Sequence, residues 1–179
     1  GSRMVGGTIW SELGFGADEL VLASFGFVTP QKRLEPTLRA FARLRAEVPG
    51  ARFLVCGEVS PHYDFSAVLA DTGGEGVLVT GRLPLDRFDR AMGAADLALN
   101  LRYTTGGETS AALMRLLALG VPTAVSDTGS FAEVPDGAVA KMPVGEGEEH
   151  LLFELLRRPA SDRALFESIG RAGRRFVER

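Results

Sequence analysis

The sequence predicts an α/β domain, a Rossmann-like doubly wound parallel sheet of six strands, and three observations carry that reading. Short apolar runs alternate with helix-period patterns from about residue 21 to the end, as right-handed βαβ units covered on both faces require. The chain has 179 residues and is 45% apolar, enough for one packed core of ordinary size. It shows no internal repeat and no low-complexity segment, so the chain reads as one continuous domain.

The elements follow in order. Residues 21–26 form the first strand. Leu34, Leu38, Phe41 and Leu44 then mark one face of a helix that ends near Pro49-Gly50. Residues 52–57 are the second strand, residues 65–70 a weak helix around Ala67, Val68 and Leu69, and residues 77–80 the third strand. Residues 84–94 read as a helix with Pro84 in its first turn and Leu85, Phe88 and Met92 on one side. Residues 97–101 are the fourth strand, 109–119 a strongly apolar helix, 122–126 the fifth strand and 138–142 a short sixth. Two helices close the chain, over roughly 146–158 and 161–178.

Both ends read as boundaries. Residues 1–4 look like a cloning remnant, residues 5–20 like a linker with no clear place in the sheet, and residues 21–179 like the domain proper. The last helix is charged and stops abruptly at Arg179, as a truncated helix does. An apolar patch on the linker side and the last helix is therefore expected where a missing domain would sit.

Composition excludes several function classes. A net charge of −3 leaves no footprint for nucleic acid. No apolar run approaches the ~18–20 residues that span a bilayer, and the start lacks the apolar region of a signal peptide. Cys56 is the one cysteine and lies in the apolar run Phe53-Leu54-Val55-Cys56, which reads as a buried inert thiol. These features together suggest a reduced, cytoplasmic setting. Neither a G-x-G-x-x-G after a strand nor a phosphate-binding P-loop is present. His62 and His150 have no metal-ligand spacing, and no metal is expected; His62 stays a weak candidate because its loop falls on the ligand side.

Ligands of open parallel sheets bind outside the carboxyl ends of the strands, and three loops there carry unusual residues. The first runs Gly26-Phe27-Val28-Thr29-Pro30-Gln31-Lys32-Arg33. Lys32 and Lys141 are the two lysines of the chain. The Lys32-Arg33 pair stands at a helix N-terminus, where positive charge is unfavourable unless an anion sits between. The alternative is a solvated basic pair, and a lysine in such a loop is expected to bury little surface. The second loop, Arg102-Tyr103-Thr104-Thr105-Gly106-Gly107-Glu108-Thr109-Ser110, has two glycines for close backbone approach and ends in hydroxyls at a helix start. It reads as a phosphate site or as simple capping. The third contains Ser126-Asp127-Thr128-Gly129-Ser130-Phe131-Ala132-Glu133, with Glu133 either an acid for a hydroxyl-rich ligand or part of a surface turn.

On these loops the sequence resembles the C-terminal, donor-binding domain of retaining GT-B glycosyltransferases, the glycosyl transferases group 1 or family 4-like class that includes sucrose synthase-like and many bacterial polysaccharide enzymes. "ELGFGADELVLASFG" is similar to the family's linker and first strand, and "QKRLEPTLRAFARL" to its K-G loop and following helix. "AADLALNL" matches its fourth strand, and "LALGVPTAVSDTGSFAEV" its most recognisable stretch.

The resemblance implies one half of a GT-B architecture, with a nucleoside diphosphate sugar as substrate and no cofactor. It implies that Lys32 is the catalytic cation on the donor diphosphate, with Gly26 and Arg33 beside it, and that Thr109 and Ser110 hold diphosphate by backbone amides. Arg82 and Leu83 match the base-binding region, and Glu133 ends the family's G-G-x-x-E segment. Two departures stand out. The Arg that the family places one residue after the first glycine falls on Phe27, leaving Arg33 and Arg102 as replacements. The second Glu of its E-x7-E motif falls on Arg115 and the first on Gly107, with Gly106 before it and Glu108 one residue along.

The expected reaction is metal-independent transfer of a hexosyl group to a hydroxyl acceptor with retention, in bacterial polysaccharide or glycoconjugate biosynthesis. The missing N-terminal domain would supply the acceptor site, and the resemblance leaves room for peripheral membrane association of the whole enzyme. A non-catalytic nucleotide-sugar-binding or regulatory module is the alternative. A Rossmann dinucleotide enzyme is disfavoured by the absent glycine fingerprint and the absent acid after the second strand.

Overall fold

The structure is a computed structural model that describes residues 9–16, 18–102, 111–127, 134–143 and 145–179. Six strands form one sheet: β1 Val21–Phe25, β2 Arg52–Cys56, β3 Val77–Gly81, β4 Leu97–Asn100, β5 Thr123–Ser126 and β6 Ala140–Met142. Their order is β3-β2-β1-β4-β5-β6, and every adjacent pair is parallel. This is the doubly wound order expected from the sequence, with its reversal between β1 and β4. The helices are α1 Leu34–Glu47, α2 Phe65–Thr72, α3 Leu85–Ala94, α4 Ala111–Ala118, α5 Glu148–Ser161 and α6 Arg163–Val177.

The inner strands β1, β2, β4 and β5 bury both faces, which is why they read as apolar runs without alternation. Leu22, Phe53, Val55, Leu97 and Leu99 face one layer, built from Leu34, Leu38, Phe41 and Leu44 of α1, Phe65 and Val68 of α2, and Leu152, Leu155 and Leu156 of α5. Val21, Ala23, Phe25, Leu54 and Ala98 face the other, with Ala91 and Met92 of α3 and Leu116 of α4. Each such buried side chain contributes roughly 2 kcal/mol. Asp64 caps α2 by accepting from the Ala67 N–H (3.1 Å), and Asp162 caps α6 by accepting from the Leu165 N–H (3.3 Å).

Residues 9–12 are helical, and Ile9, Trp10 and Phe15 pack into the second layer, with Trp10 and Phe15 ring to ring at 5.9 Å. One expectation is corrected: the fifth helix runs past Arg158 to Ser161 with Pro159 inside it. Pro159 stands in the last turn, where only one intrahelical bond is forfeited, and its ring is buried.

Helix α6 joins the first layer to a third, smaller cluster: Phe166 and Ile169 enter the first layer, while Ala172, Phe176 and Val177 pack on Leu113, Leu117, Val125 and Val139. Its close seating depends on Gly170, where a Cβ would collide with the Gly120 carbonyl. An exposed helical Gly→Ala change gains about 1 kcal/mol, but here overpacking reverses the sign. Gly170→Ala is expected to lower stability by about 1–3 kcal/mol in urea unfolding; a gain would mean that α6 does not rest on the Gly120 turn.

Candidate functional site

The carboxyl ends of β1 and β2 continue as a paired lip. The Gly26 N–H donates to the Cys56 carbonyl (2.9 Å), the Val28 N–H to the Glu58 carbonyl (2.9 Å), and the Ser60 N–H to the Val28 carbonyl (3.0 Å). The approach is so close that a Cβ on Gly57, which has φ +156°, would overlap the Gly26 carbonyl. Above the lip lies a cleft of about 250 Å³ lined by Gly26, Phe27, Gly57, Glu58, Arg82, Leu83 and Phe88. Three predicted donor residues, Gly26, Arg82 and Leu83, thus share one cleft. Phe27 is half exposed at its rim, and Phe88 stacks edge-on against Phe25 at 5.6 Å.

Lys32 is positioned by a turn that sequence periodicity could not show. Thr29 is extended, Pro30 opens a single 3₁₀ turn over Pro30–Lys32, and Arg33 ends it at φ +58°. The turn folds the lysine back over Gly26, so that its Nζ donates to the Phe25 carbonyl at 3.1 Å. Only 7% of Lys32 is exposed, which corrects the expectation of a loop lysine that buries little. Burial, with the Arg102 charge beside it, pulls the ammonium from an ordinary 10.5 down to about 8. Arg102 follows β4, the strand next to β1, and its N–H donates to the buried Ser126 Oγ at 3.0 Å. Two cations therefore converge where the strand order reverses, the place where such sheets bind ligands.

The other predicted residues divide clearly. Arg33 is turned away from the cleft: its Nε and Nη2 reach the two carboxylate oxygens of Glu148 at 3.2 and 2.5 Å. Arg115 pairs with Asp89 of α3 at 2.5 Å across the helix surface. Arg82 is exposed at the cleft mouth, and His62 is exposed on the loop beyond it. Gly106, Gly107, Glu108, Thr109, Ser110 and Glu133 lie outside the described residues. Sequence reasoning missed Glu148 and Glu58, and it had Ser126 only as part of the third loop and Phe88 only as a helix-face residue. Glu148 carried no signal, because it sits in an acidic run, Glu146-Gly147-Glu148-Glu149, that resembles any solvated helix start. Cys56 is buried, and desolvation pushes its thiol up to about 11, which makes it a core group. Among the described residues no three His, Cys, Asp or Glu side chains gather as a metal site, and no helix is long and apolar enough to cross a membrane.

A second hollow of about 300 Å³ lies at the opposite edge, lined by Ala95, Asp96, Gly120, Pro122, Pro159 and Phe166 among others. It is larger but lies before the strands rather than after them.

The fold is that of a Rossmann-like α/β half-domain of the GT-B architecture. The family model of the glycosyl transferases group 1 matches residues 19–162, and the chain belongs to that family. No curated protein matches it in sequence. Among solved structures, HepE from Anabaena in complex with UDP-glucose has a TM-score of 0.83 at 16% identity, over 98% of this chain and 48% of its own. WaaG, a glycosyltransferase involved in lipopolysaccharide biosynthesis, has a TM-score of 0.81 at 19% identity, over 99% and 46%. The C-terminal domain of the group 1 family protein LpcC from Francisella tularensis has a TM-score of 0.78 at 16% identity, over 96% and 90%. The chain thus spans about half the length of HepE and WaaG. At these identities the likeness concerns the fold.

The buried lysine has a consequence for stability. Below pH 8 the folded state holds Lys32 charged against its environment, whereas the unfolded chain keeps its proton up to an ordinary 10.5. The unfolded state binds more protons between those values, so stability rises with pH across that window. Lys32→Met is expected to stabilise the domain at pH 7 by up to about 3 kcal/mol, and the gain should shrink as pH climbs from 8 toward 10. Urea unfolding of both proteins at pH 7, 9 and 10 checks this; a destabilised variant at pH 7 would contradict it.

Proposed function

We propose that this chain is the donor-binding domain of a glycosyltransferase and that Lys32 and Arg102 hold the diphosphate of a nucleoside diphosphate sugar. The observation that carries the reading is the convergence of a buried lysine and a second cation on the switch point of the sheet. A buried ammonium whose one hydrogen-bond acceptor among the described residues is a backbone carbonyl gains most from an arriving anion. The β1–β4 register adds support. Leu22 pairs with Leu97 and Ala23 with Ala98, so Arg102, two residues past the end of β4, leaves the sheet beside the segment that follows β1. The cation that the family carries after its first glycine is supplied here from the neighbouring strand.

In this reading the cleft of Gly26, Phe27, Gly57, Arg82 and Leu83 receives the nucleoside. The helix start at Thr109-Ser110 and Glu133 complete the donor site, as the family resemblance implies. As the glycosidic bond breaks, negative charge grows on the diphosphate. Lys32 and Arg102 are pre-placed to meet it, an electrostatic contribution of the oxyanion-hole kind. That supports hexosyl transfer to a hydroxyl without a metal. The acceptor site and the retaining stereochemistry belong to the whole enzyme, whose second domain would close over this edge in a cytoplasmic setting. WaaG, a glycosyltransferase involved in lipopolysaccharide biosynthesis, makes bacterial polysaccharide or glycoconjugate synthesis the matching context.

A second reading, a non-catalytic nucleotide-sugar-binding or regulatory module, is favoured by Phe27 and by Arg115, whose guanidinium is paired with Asp89. Turnover by the two-domain protein separates the two.

Charge-assisted contacts to phosphate are worth about 1.5–3 kcal/mol each. Lys32→Ala should therefore weaken UDP or GDP binding by about ten- to a hundredfold at low salt, with free uridine and guanosine hardly affected. Arg102→Ala should act in the same direction. Calorimetric titration measures both, and equal diphosphate affinities for wild type and Lys32→Ala would remove Lys32 from the site. Because Lys32 loses its proton near pH 8, wild-type diphosphate affinity should fall as pH rises from 7 to 9, with net proton uptake on binding near pH 8. A flat profile would show that another group holds the anion.

A further inference from the structure

Among the described residues two charged side chains are buried, Lys32 and Glu148, and both belong to the same corner of the molecule. Between them stands Arg33. It is the one non-glycine described residue at positive φ, +58°, a conformation that disfavours any side chain with a Cβ. At this point the chain leaves the 3₁₀ turn of Lys32 and enters α1: the Arg33 N–H donates to the Pro30 carbonyl (3.2 Å), and the Arg33 carbonyl accepts from Thr37 Oγ1 (2.7 Å). The guanidinium then forks onto Glu148, in the first turn of α5, at 3.2 and 2.5 Å. Glu148 is 115 residues away in sequence, so the contact ties the Lys32 turn to a distant element. At their far ends the same two helices are joined by Glu47 and Arg157 (3.2 Å), and Arg43 lies over the Phe153 ring at 4.3 Å, so α5 is a firm anchor.

We infer that the Arg33–Glu148 pair is a positioning device, a clamp that holds the strained Lys32 turn closed and keeps the ammonium buried over Gly26, ready for an anion. One feature favours this over an ordinary surface ion pair: the pair is bidentate and its carboxylate is 5% exposed, so it is directional and poorly screened. The inference rests on the reading of Lys32 as the anion-binding group, but its first readout does not require a ligand.

The chain has only two lysines, Lys32 and Lys141, so lysine-labelled NMR gives two side-chain signals, which a Lys32→Met sample assigns. The test variant is Arg33→Gly/Glu148→Gln. Glycine adopts φ +58° without strain, and glutamine leaves no unpaired buried charge, so the fold is kept while the clamp is lost; circular dichroism and the Lys141 signal confirm folding. The milder Arg33→Lys, which retains one charge contact but not the fork, should fall between wild type and the double variant.

The expected result is that Lys32 titrates near 8 in wild type and moves toward 10 in the double variant. UDP affinity should drop about tenfold while uridine affinity stays put. An unmoved Lys32 titration in the variant overturns the inference, whether or not affinity changes, because the clamp would then act elsewhere or not at all. If Lys32 moves as expected but wild-type protein binds neither UDP nor GDP, the clamp stands and the donor-binding reading fails.

Discussion

A positive charge held almost out of water at the end of β1 is the constraint on which the rest of this corner depends. An isolated ammonium resists burial, and proteins normally let it reach solvent or give it a carboxylate. Here the chain does neither for Lys32 among the described residues. Pro30 fixes the backbone angle that starts the turn, Arg33 takes a left-handed conformation to end it, and the lysine is folded back onto the Phe25 carbonyl. Glu148, the carboxylate that meets this turn, is given to Arg33. The left-handed Arg33 and the buried ammonium each cost stability locally. Such a pattern of local rules broken together is what functional sites show.

The sheet makes that arrangement possible. In the order β3-β2-β1-β4-β5-β6 the chain after β1 and the chain after β4 leave the sheet toward opposite faces. A crevice opens between them without any insertion. Lys32 reaches it from one side, carried by the turn before α1, and Arg102 from the other, with its backbone held by Ser126. The close pairing of Gly26 with Cys56 and of Gly57 beneath it keeps the β1–β2 side low and firm, so that the cleft of Phe27, Arg82 and Leu83 joins the crevice. Packing, not the site itself, supplies the rigidity: α1 and α5 are pinned at both ends by ion pairs and between them by apolar contacts.

What the sequence disclosed and what it hid follow from the range of the interactions involved. Strands buried on both faces must be apolar throughout, so β1, β2, β4 and β5 were visible as runs and their alternation with helices set the topology. Lys32 was visible because lysine is scarce in this chain. Its burial was not, because a three-residue 3₁₀ turn has no periodicity to detect. Arg33 looked like a second ligand cation next to the first; only the fold reveals a partner 115 residues away. The packing of Trp10 and Phe15 was hidden because a four-residue helical segment gives too few residues to display an apolar face. The fifth helix was drawn to end near residue 158, although Pro159 in a final turn removes just one backbone bond.

Size alone would place the ligand in the other half of the molecule from the proposed site. The hollow at the amino edge is the larger, about 300 Å³ against about 250 Å³, yet its charges are balanced: Arg163 and Arg171 stand with Asp96 and Glu167, and Asp96 is already engaged with the Val21 N–H at 2.9 Å. A group with a satisfied partner gains little by exchanging it for a ligand. At the carboxyl edge Lys32 is held against a neutral carbonyl and beside a like charge, so an anion arriving there relieves both desolvation and repulsion in one step. The free energy available for binding is greatest where the protein has left its own charge least satisfied. By that measure the smaller cleft is the one proposed to take the donor, and an anion arriving there would reverse the depressed affinity of Lys32 for its proton.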